Sequence, residues 1–158
     1  MAYLCLKCYE TYELPLQNCP KTSCYGSVAE IDDLMLPIIM ILNQKGYCTK
    51  FCCSGHIYEK GCYPYIMFDS FLNEILDEDE FNNLFKKLPE PWYIETHISN
   101  EKTIRCDIES SSSSMVELHK LICYVNLVLL NFVNELPELF CDEEVSDNKE
   151  IKAGTIYG

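Results

Sequence analysis

The stretch Gly46-Tyr-Cys-Thr-Lys-Phe-Cys-Cys-Ser-Gly-His56 decides how the rest of the chain is read. Tyr47 to Cys53 reads as a strand that runs into a tight turn at Ser54-Gly55-His56, and Tyr63 to Asp69 reads as the next strand. Working outward on the N-terminal side, Ile31, Leu34, Met35, Ile38 and Leu42 recur at helical spacing and predict a helix over 31–44. Asp32 or Asp33 can cap its start, and Gly46 follows its end. Pro37 is tolerated if it lies close to the first turn.

On the C-terminal side, Phe71 to Ile75 reads as a helical turn. Asp77-Glu-Asp-Glu80 places negative charge at the start of a helix that runs to about Lys87 and stops at Pro89 and Pro91. Trp92–Ile98 and Thr103–Glu109 alternate as the strands of a hairpin. Matching their apolar faces pairs Thr96 with Ile104 and Glu95 with Arg105. The last helix, 115–135, carries Leu118, Ile122, Val125, Leu129, Phe132 and Val133 on one stripe and ends at Pro137. The order over 29–140 is α-β-β-α-β-β-α. It predicts a two-layer α+β domain whose mainly antiparallel sheet is covered by helices on one face. From about residue 141 the chain is acidic and polar and reads as a mobile tail to residue 158.

Residues 1–28 form a separate module. Cys5-Leu-Lys-Cys8 and Cys19-Pro-Lys-Thr-Ser-Cys24 are two cysteine pairs with ten residues between them. A tetrahedral metal needs four soft ligands, and two thiolate-bearing turns joined by a hairpin supply them. Gly26, after Cys24, suits a residue with positive φ. The pattern resembles the zinc-ribbon and rubredoxin-like modules, with four residues in its second knuckle where those families usually have two. The resemblance implies a zinc held by Cys5, Cys8, Cys19 and Cys24. Four ligands leave no open position, so the zinc is expected to be structural.

The chain has 158 residues, 48% hydrophobic and 23% charged, enough for one packed domain with an appendage. Eleven cysteines without a leader sequence argue for reduced thiols and metal, hence a cytoplasmic protein. No apolar run reaches the roughly 18 residues of a membrane span. The net charge is −13 with a single arginine, which counts against duplex nucleic acid and fits either solubility or a basic protein partner. Tyr63 and Trp92 as surface aromatics leave a homodimer open.

The ligand candidates gather at the Cys53-Ser54-Gly55-His56 turn. Cys53 with His56 has the makings of a nucleophile and base. Cys52, Cys53, Cys62 and His56 are metal-ligand types, although strand neighbours point to opposite faces. A purely structural turn is the bland alternative. Ser112, Ser113 and Ser114 lie in a run of five serines that enters the last helix, where free amides suit an anion such as a nucleotide phosphate. Arg105 adds a cation, and His97 alternates onto the same open face as Glu95.

The string from Lys45 to His56, followed by Tyr65-Ile-Met-Phe68, resembles small proteins of bacteriophages and prophages. The Cys53-Ser-Gly segment is also similar to the turn of the wybutosine-synthesis methyltransferase family, which normally continues with arginine where this chain has His56. The first resemblance implies a non-enzymatic inhibitor. Such a protein would block or sequester a host defence factor in the host cytoplasm, through its acidic surface or a small anionic ligand. The second implies a transferase that acts on a nucleotide or RNA base through the same turn.

Overall fold

A computed structural model describes residues 1–56, 63–95, 101–108 and 114–139. Ser112, Ser113, His97, Cys62 and the tail from 141 lie outside them. The fold is α+β, with a three-stranded sheet in the N-terminal module and a four-stranded antiparallel sheet beyond it.

In the first sheet β1 (Ala2–Cys5) lies between β2 (Thr11–Tyr12) and β3 (Val28–Ile31), all antiparallel. The third strand, Val28–Ile31, ends at the residue where the helix was expected to begin. Helix α1 begins later, at Leu36, and runs to Gln44. Pro37 then falls in its first turn, where its missing N–H costs no helical bond. Neither aspartate caps α1: the residue before it, Met35, makes no side-chain cap bond. The carboxylate of Asp32 is turned toward the Cys-Ser-Gly turn instead.

The end of α1 follows its glycine. Gly46 has φ 94°, the Tyr47 amide donates to Leu42 O at 2.9 Å, and the Gly46 amide donates to Asn43 O at 3.1 Å. This pair of bonds is the Schellman closure. It turns the chain into β4 (Thr49–Cys53), which pairs with β5 (Tyr65–Phe68). Two short helices follow, α2 (Leu72–Ile75) and α3 (Glu78–Leu84). Asp77 and Glu80 close a reciprocal capping box at the start of α3. Strands β6 (Trp92–Glu95) and β7 (Thr103–Cys106) form the second hairpin, and the sheet order is β4-β5-β7-β6.

The β6–β7 register differs by two residues from the expected one. Ile94 faces Ile104, and Arg105 faces Tyr93 rather than Glu95. Parity is preserved, so every side chain stays on its expected face. Glu95 becomes the diagonal neighbour of Arg105 and still approaches it, at 3.4 Å. Trp92 is buried, not exposed, and its indole N–H donates to Val125 O at 2.8 Å.

Helix α4 (Met115–Glu135) closes the core. Ile122, Val125, Leu129 and Val133 are its buried stripe. They pack in one cluster with Ile38, Ile39, Leu42, Ile66, Phe68, Phe81, Phe85 and Ile104. Phe81 and Phe85 stack at 4.4 Å, and Phe68 meets both edge-on. Among the described residues α4 is the one helix long and apolar enough to cross a membrane. Its buried stripe packs into the core, while Met115, Val116, Tyr124 and Leu127 on the same helix are exposed.

The C-terminus of α4 is tied to the α1–β4 corner. Lys45 Nζ donates to the carbonyls of Val133 (3.0 Å), Asn134 (2.6 Å) and Leu136 (2.6 Å). Tyr47 Oη donates to Pro137 O at 2.8 Å. A cation on the last carbonyls satisfies orphan acceptors and opposes the helix dipole. Replacing Lys45 by Met keeps the aliphatic stem and removes these bonds. We expect it to lower unfolding free energy by about 2 kcal/mol in urea denaturation, with an unchanged slope. An effect below about 0.5 kcal/mol would mean that water replaces the ammonium at no cost.

Candidate functional site

The N-terminal module is built around sulfur. Cys5 ends β1, Cys8 follows in the same knuckle, and Cys19 and Cys24 come from the second knuckle. The four Sγ atoms lie within 4.8 Å of one another. Cys5 and Cys24 are 3.6 Å apart, and Cys8 and Cys19 3.7 Å. A tetrahedral ion with metal–sulfur bonds of about 2.3 Å holds its ligands about 3.8 Å apart, so the cage fits a metal ion. These separations far exceed a disulfide bond, and all four cysteines are free.

The surroundings favour thiolate at Cys19, while the Cys8 thiol is pushed up to about 12. The Cys8 amide approaches Cys5 Sγ at 3.5 Å, and Tyr12 Oη lies 3.0 Å from Cys19 Sγ. The Tyr12 hydrogen bond draws the Cys19 thiol down to about 7. The same contact pushes the Tyr12 phenol up, so the proton stays on tyrosine.

Gly26 has a different role from the expected one. The left-handed residues of this knuckle are Ser23 (φ 74°) and Tyr25 (φ 52°). Glycine is needed at 26 for space, because a Cβ there would lie 2.6 Å from Lys7 Cβ and 2.7 Å from Cys5 Sγ. The backbone passes directly over the sulfurs.

The Cys-Ser-Gly-His turn is held on both sides. Asp32 Oδ2 accepts from the Ser54 amide at 3.0 Å and from its hydroxyl at 3.1 Å. Asn126, buried in α4, donates to Ser54 O at 3.1 Å and to Ile122 O at 2.8 Å. Ser54 is thus bonded through amide, hydroxyl and carbonyl and positions the turn. Gly55 has φ 95°, and a Cβ there would sit 3.1 Å from the Pro64 ring. Its amide donates to Cys53 Sγ at 3.3 Å.

The two adjacent cysteines diverge. Cys52 pairs with Ile66 on the core side of the sheet, and Cys53 with Tyr65 on the open side. Burial, with help from the charges of Asp32 and Cys53, pushes the Cys52 thiol up to about 12. Both cysteines nevertheless line one recess of about 320 Å³, with His56, Asp32, Glu30, Tyr65 and Met1.

Comparison with protein-family models, curated sequences and solved structures finds no match for this chain.

Of the remaining expected ligand residues, Arg105 and Ser114 are engaged elsewhere, and Ser112 and Ser113 lie outside the described residues. Arg105 lies between Glu95 (3.4 Å) and Asp107 (3.3 Å) and over the Tyr63 ring (5.4 Å). Ser114 caps α4: its hydroxyl accepts from the Glu117 amide at 3.2 Å, and the Glu117 carboxylate returns to the Ser114 amide at 3.4 Å. A carboxylate thus sits where an anion would bind. The recess carries the carboxylates of Glu30 and Asp32 and also Met1, whose ammonium is paired with Asp33 at 3.0 Å, so its charge favours a cation. Sequence reasoning missed Asp32, Asn126 and Tyr12 as supports of the two clusters. Asp32 was assigned to a helix cap, and a tyrosine or asparagine at a given position carries no spacing signal.

Two substitutions test the sulfur cage. Gly26→Ala forces a methyl against Cys5 Sγ and is expected to abolish stoichiometric metal retention. Tyr12→Phe removes one hydrogen bond and is expected to weaken metal affinity by about 10-fold or more in a chelator competition. Wild-type retention in both would refute the packing described.

Proposed function

We propose that this is a non-enzymatic binding protein with a structural zinc, whose recognition surface is the open face of the four-stranded sheet and whose target is a basic protein. Zinc is the ion that a closed cage of four thiolates suits best. A module with so few apolar residues of its own draws its stability from that ion.

One observation carries the binding reading. The face turned away from the helices presents Phe51 (56% exposed), Tyr65, Met67 and Tyr93 (38% exposed) around the single arginine, Arg105. Aromatic residues, methionine and arginine are the side chains enriched where proteins meet. The rim adds the carboxylates of Glu95, Glu101 and Asp107, which pair here with Arg105 and Lys50 and outnumber them. Exposed rings beside carboxylates receive lysine and arginine side chains, through cation–π contact and ion pairing. The net charge of −13 attracts such a partner from a distance. Together with the resemblance to phage proteins, this makes the target a host factor that the protein blocks or sequesters. The transferase reading draws no support from the turn, where Ser54 is fully bonded and Glu30 and Asp32 repel an anionic nucleotide.

The test is affinity capture from bacterial lysate on immobilised wild-type protein, on Phe51→Ala/Tyr93→Ala and on Tyr124→Ala, whose ring lies exposed on α4. A basic protein should be retained by wild type and Tyr124→Ala, and reduced at least ~10-fold by the sheet-face pair, about 1.4 kcal/mol. Retention should also weaken with salt. Identical retention by all three proteins would overturn the assignment.

A further inference from the structure

We propose that Asp32, Cys53 and His56 form a second metal site, which takes zinc and leaves one coordination position open. Their ligand atoms, a carboxylate oxygen, Sγ and a ring nitrogen, lie within 4.8 Å of one another. Tetrahedral ligand atoms stand about 3.5 Å apart, so binding an ion would draw the three donors closer together. The residues come from three places in the chain: the turn after β3, the end of β4, and the loop that follows it.

The supports are those of a metal site. Asp32 Oδ2 is fixed by the amide and hydroxyl of Ser54 at 3.0 and 3.1 Å, which holds the carboxylate in place. The Gly55 amide donates to Cys53 Sγ at 3.3 Å. The four-cysteine cage has the same amide-to-sulfur bond, from Cys8 to Cys5 at 3.5 Å. Such bonds stabilise thiolate, the form that binds metal. The carbonyl between these groups is held from the core by Asn126 at 3.1 Å. Asp32 and Cys53 are therefore placed before any ion arrives, and His56 completes the set.

The donor set selects the ion. Thiolate excludes magnesium and calcium, which take oxygen ligands, and a mixed sulfur, nitrogen and oxygen set suits zinc and its neighbours. Three protein ligands make an open site, in contrast to the closed cage of Cys5, Cys8, Cys19 and Cys24. The fourth position faces the recess of about 320 Å³ beside Tyr65 and Glu30, with room for water or a donor atom of a bound molecule. The site is at the junction between the ribbon and the sheet, so the ion would tie the two modules together.

The experiment counts zinc. Full-length protein is equilibrated with excess zinc, desalted and weighed by native mass spectrometry, with elemental analysis in parallel. We expect two ions per chain in wild type, one in Cys53→Ser and one in His56→Ala, with second-site affinity reduced at least ~100-fold. His56→Cys supplies another ligand and should restore the second ion. Cobalt added to protein that already carries one zinc should give a four-coordinate visible spectrum with thiolate charge transfer. That signal should vanish in Cys53→Ser. One ion per wild-type chain under excess zinc overturns the proposal. So does a second ion that survives in both Cys53→Ser and His56→Ala. Wild-type stoichiometry is decisive even if a variant fails to fold.

Discussion

The structure depends on how the backbone of Ser54 is held. Asp32 grips its amide and hydroxyl from the end of the ribbon, and Asn126 grips its carbonyl from the middle of α4. Three parts of the chain, at residues 32, 54 and 126, thereby meet at one residue. An unmade bond of a buried polar group costs about 1–3 kcal/mol; the Asn126 amide makes both of its donations, while its Oδ1 has no partner among the described residues. Loss of Asn126 would leave Ser54 O without this donor, and loss of Asp32 would free two donors at once. This polar lock makes the turn a fixed object in an otherwise apolar junction.

The lock also explains the course of the N-terminal module. A ribbon with so small an apolar cluster, Cys5, Cys19 and Cys24 with Cys8, Tyr12 and Val28 beside them, cannot stabilise itself by burial. It rests on two supports. Four thiolates can bind an ion, and structural zinc contributes on the order of 10–16 kcal/mol in small modules. The other support is continuity with the core. Leu4 and Ile31 belong to the main cluster, and Tyr9 Oη donates to Asn43 O at 3.1 Å. The strand β3, whose last residue Ile31 was read as helix, is what makes this continuity, since its end delivers Asp32 to the turn.

Much of the architecture was legible in the sequence, and the reasons differ by element. Helix α4 spans Met115–Glu135 as read, because an uninterrupted apolar period lies between a serine cap and a proline stop. Gly46 ended α1 as expected because the Schellman closure has a strong residue preference. The start of α1 was not legible. Ile31 fits the helical period of the residues after it, yet pairing with Ala2 places it in a strand. A short apolar segment is ambiguous between the two periods, and a strand partner some 29 residues away decides it. The β6–β7 register failed by two residues for a related reason: face matching fixes parity but cannot see loop length. The four cysteines of the cage were found because knuckle spacing is a local signal. The trio of Asp32, Cys53 and His56 was found only in part, because its carboxylate comes from elsewhere in the chain.

Charge decides what the Cys-Ser-Gly-His turn can hold. Read as a string, it offers a thiol, a hydroxyl, an imidazole and a glycine, equally suited to an anion, a nucleophilic role or a metal. In the folded chain the hydroxyl is bonded to Asp32, the nearest arginine is paired with Glu95 and Asp107, and two carboxylates enter the recess. Each of these removes an attraction for phosphate or adds a repulsion, and each favours a cation. Cys53 and His56 then act with Asp32 as one set of donors, while Phe51, Tyr65 and Tyr93 lie on the same open face of the sheet. A metal at the ribbon junction and a partner on the sheet would thus touch neighbouring parts of one surface. Tyr65 belongs to both, so an ion bound beside it would fix the ring at the edge of the surface a partner meets.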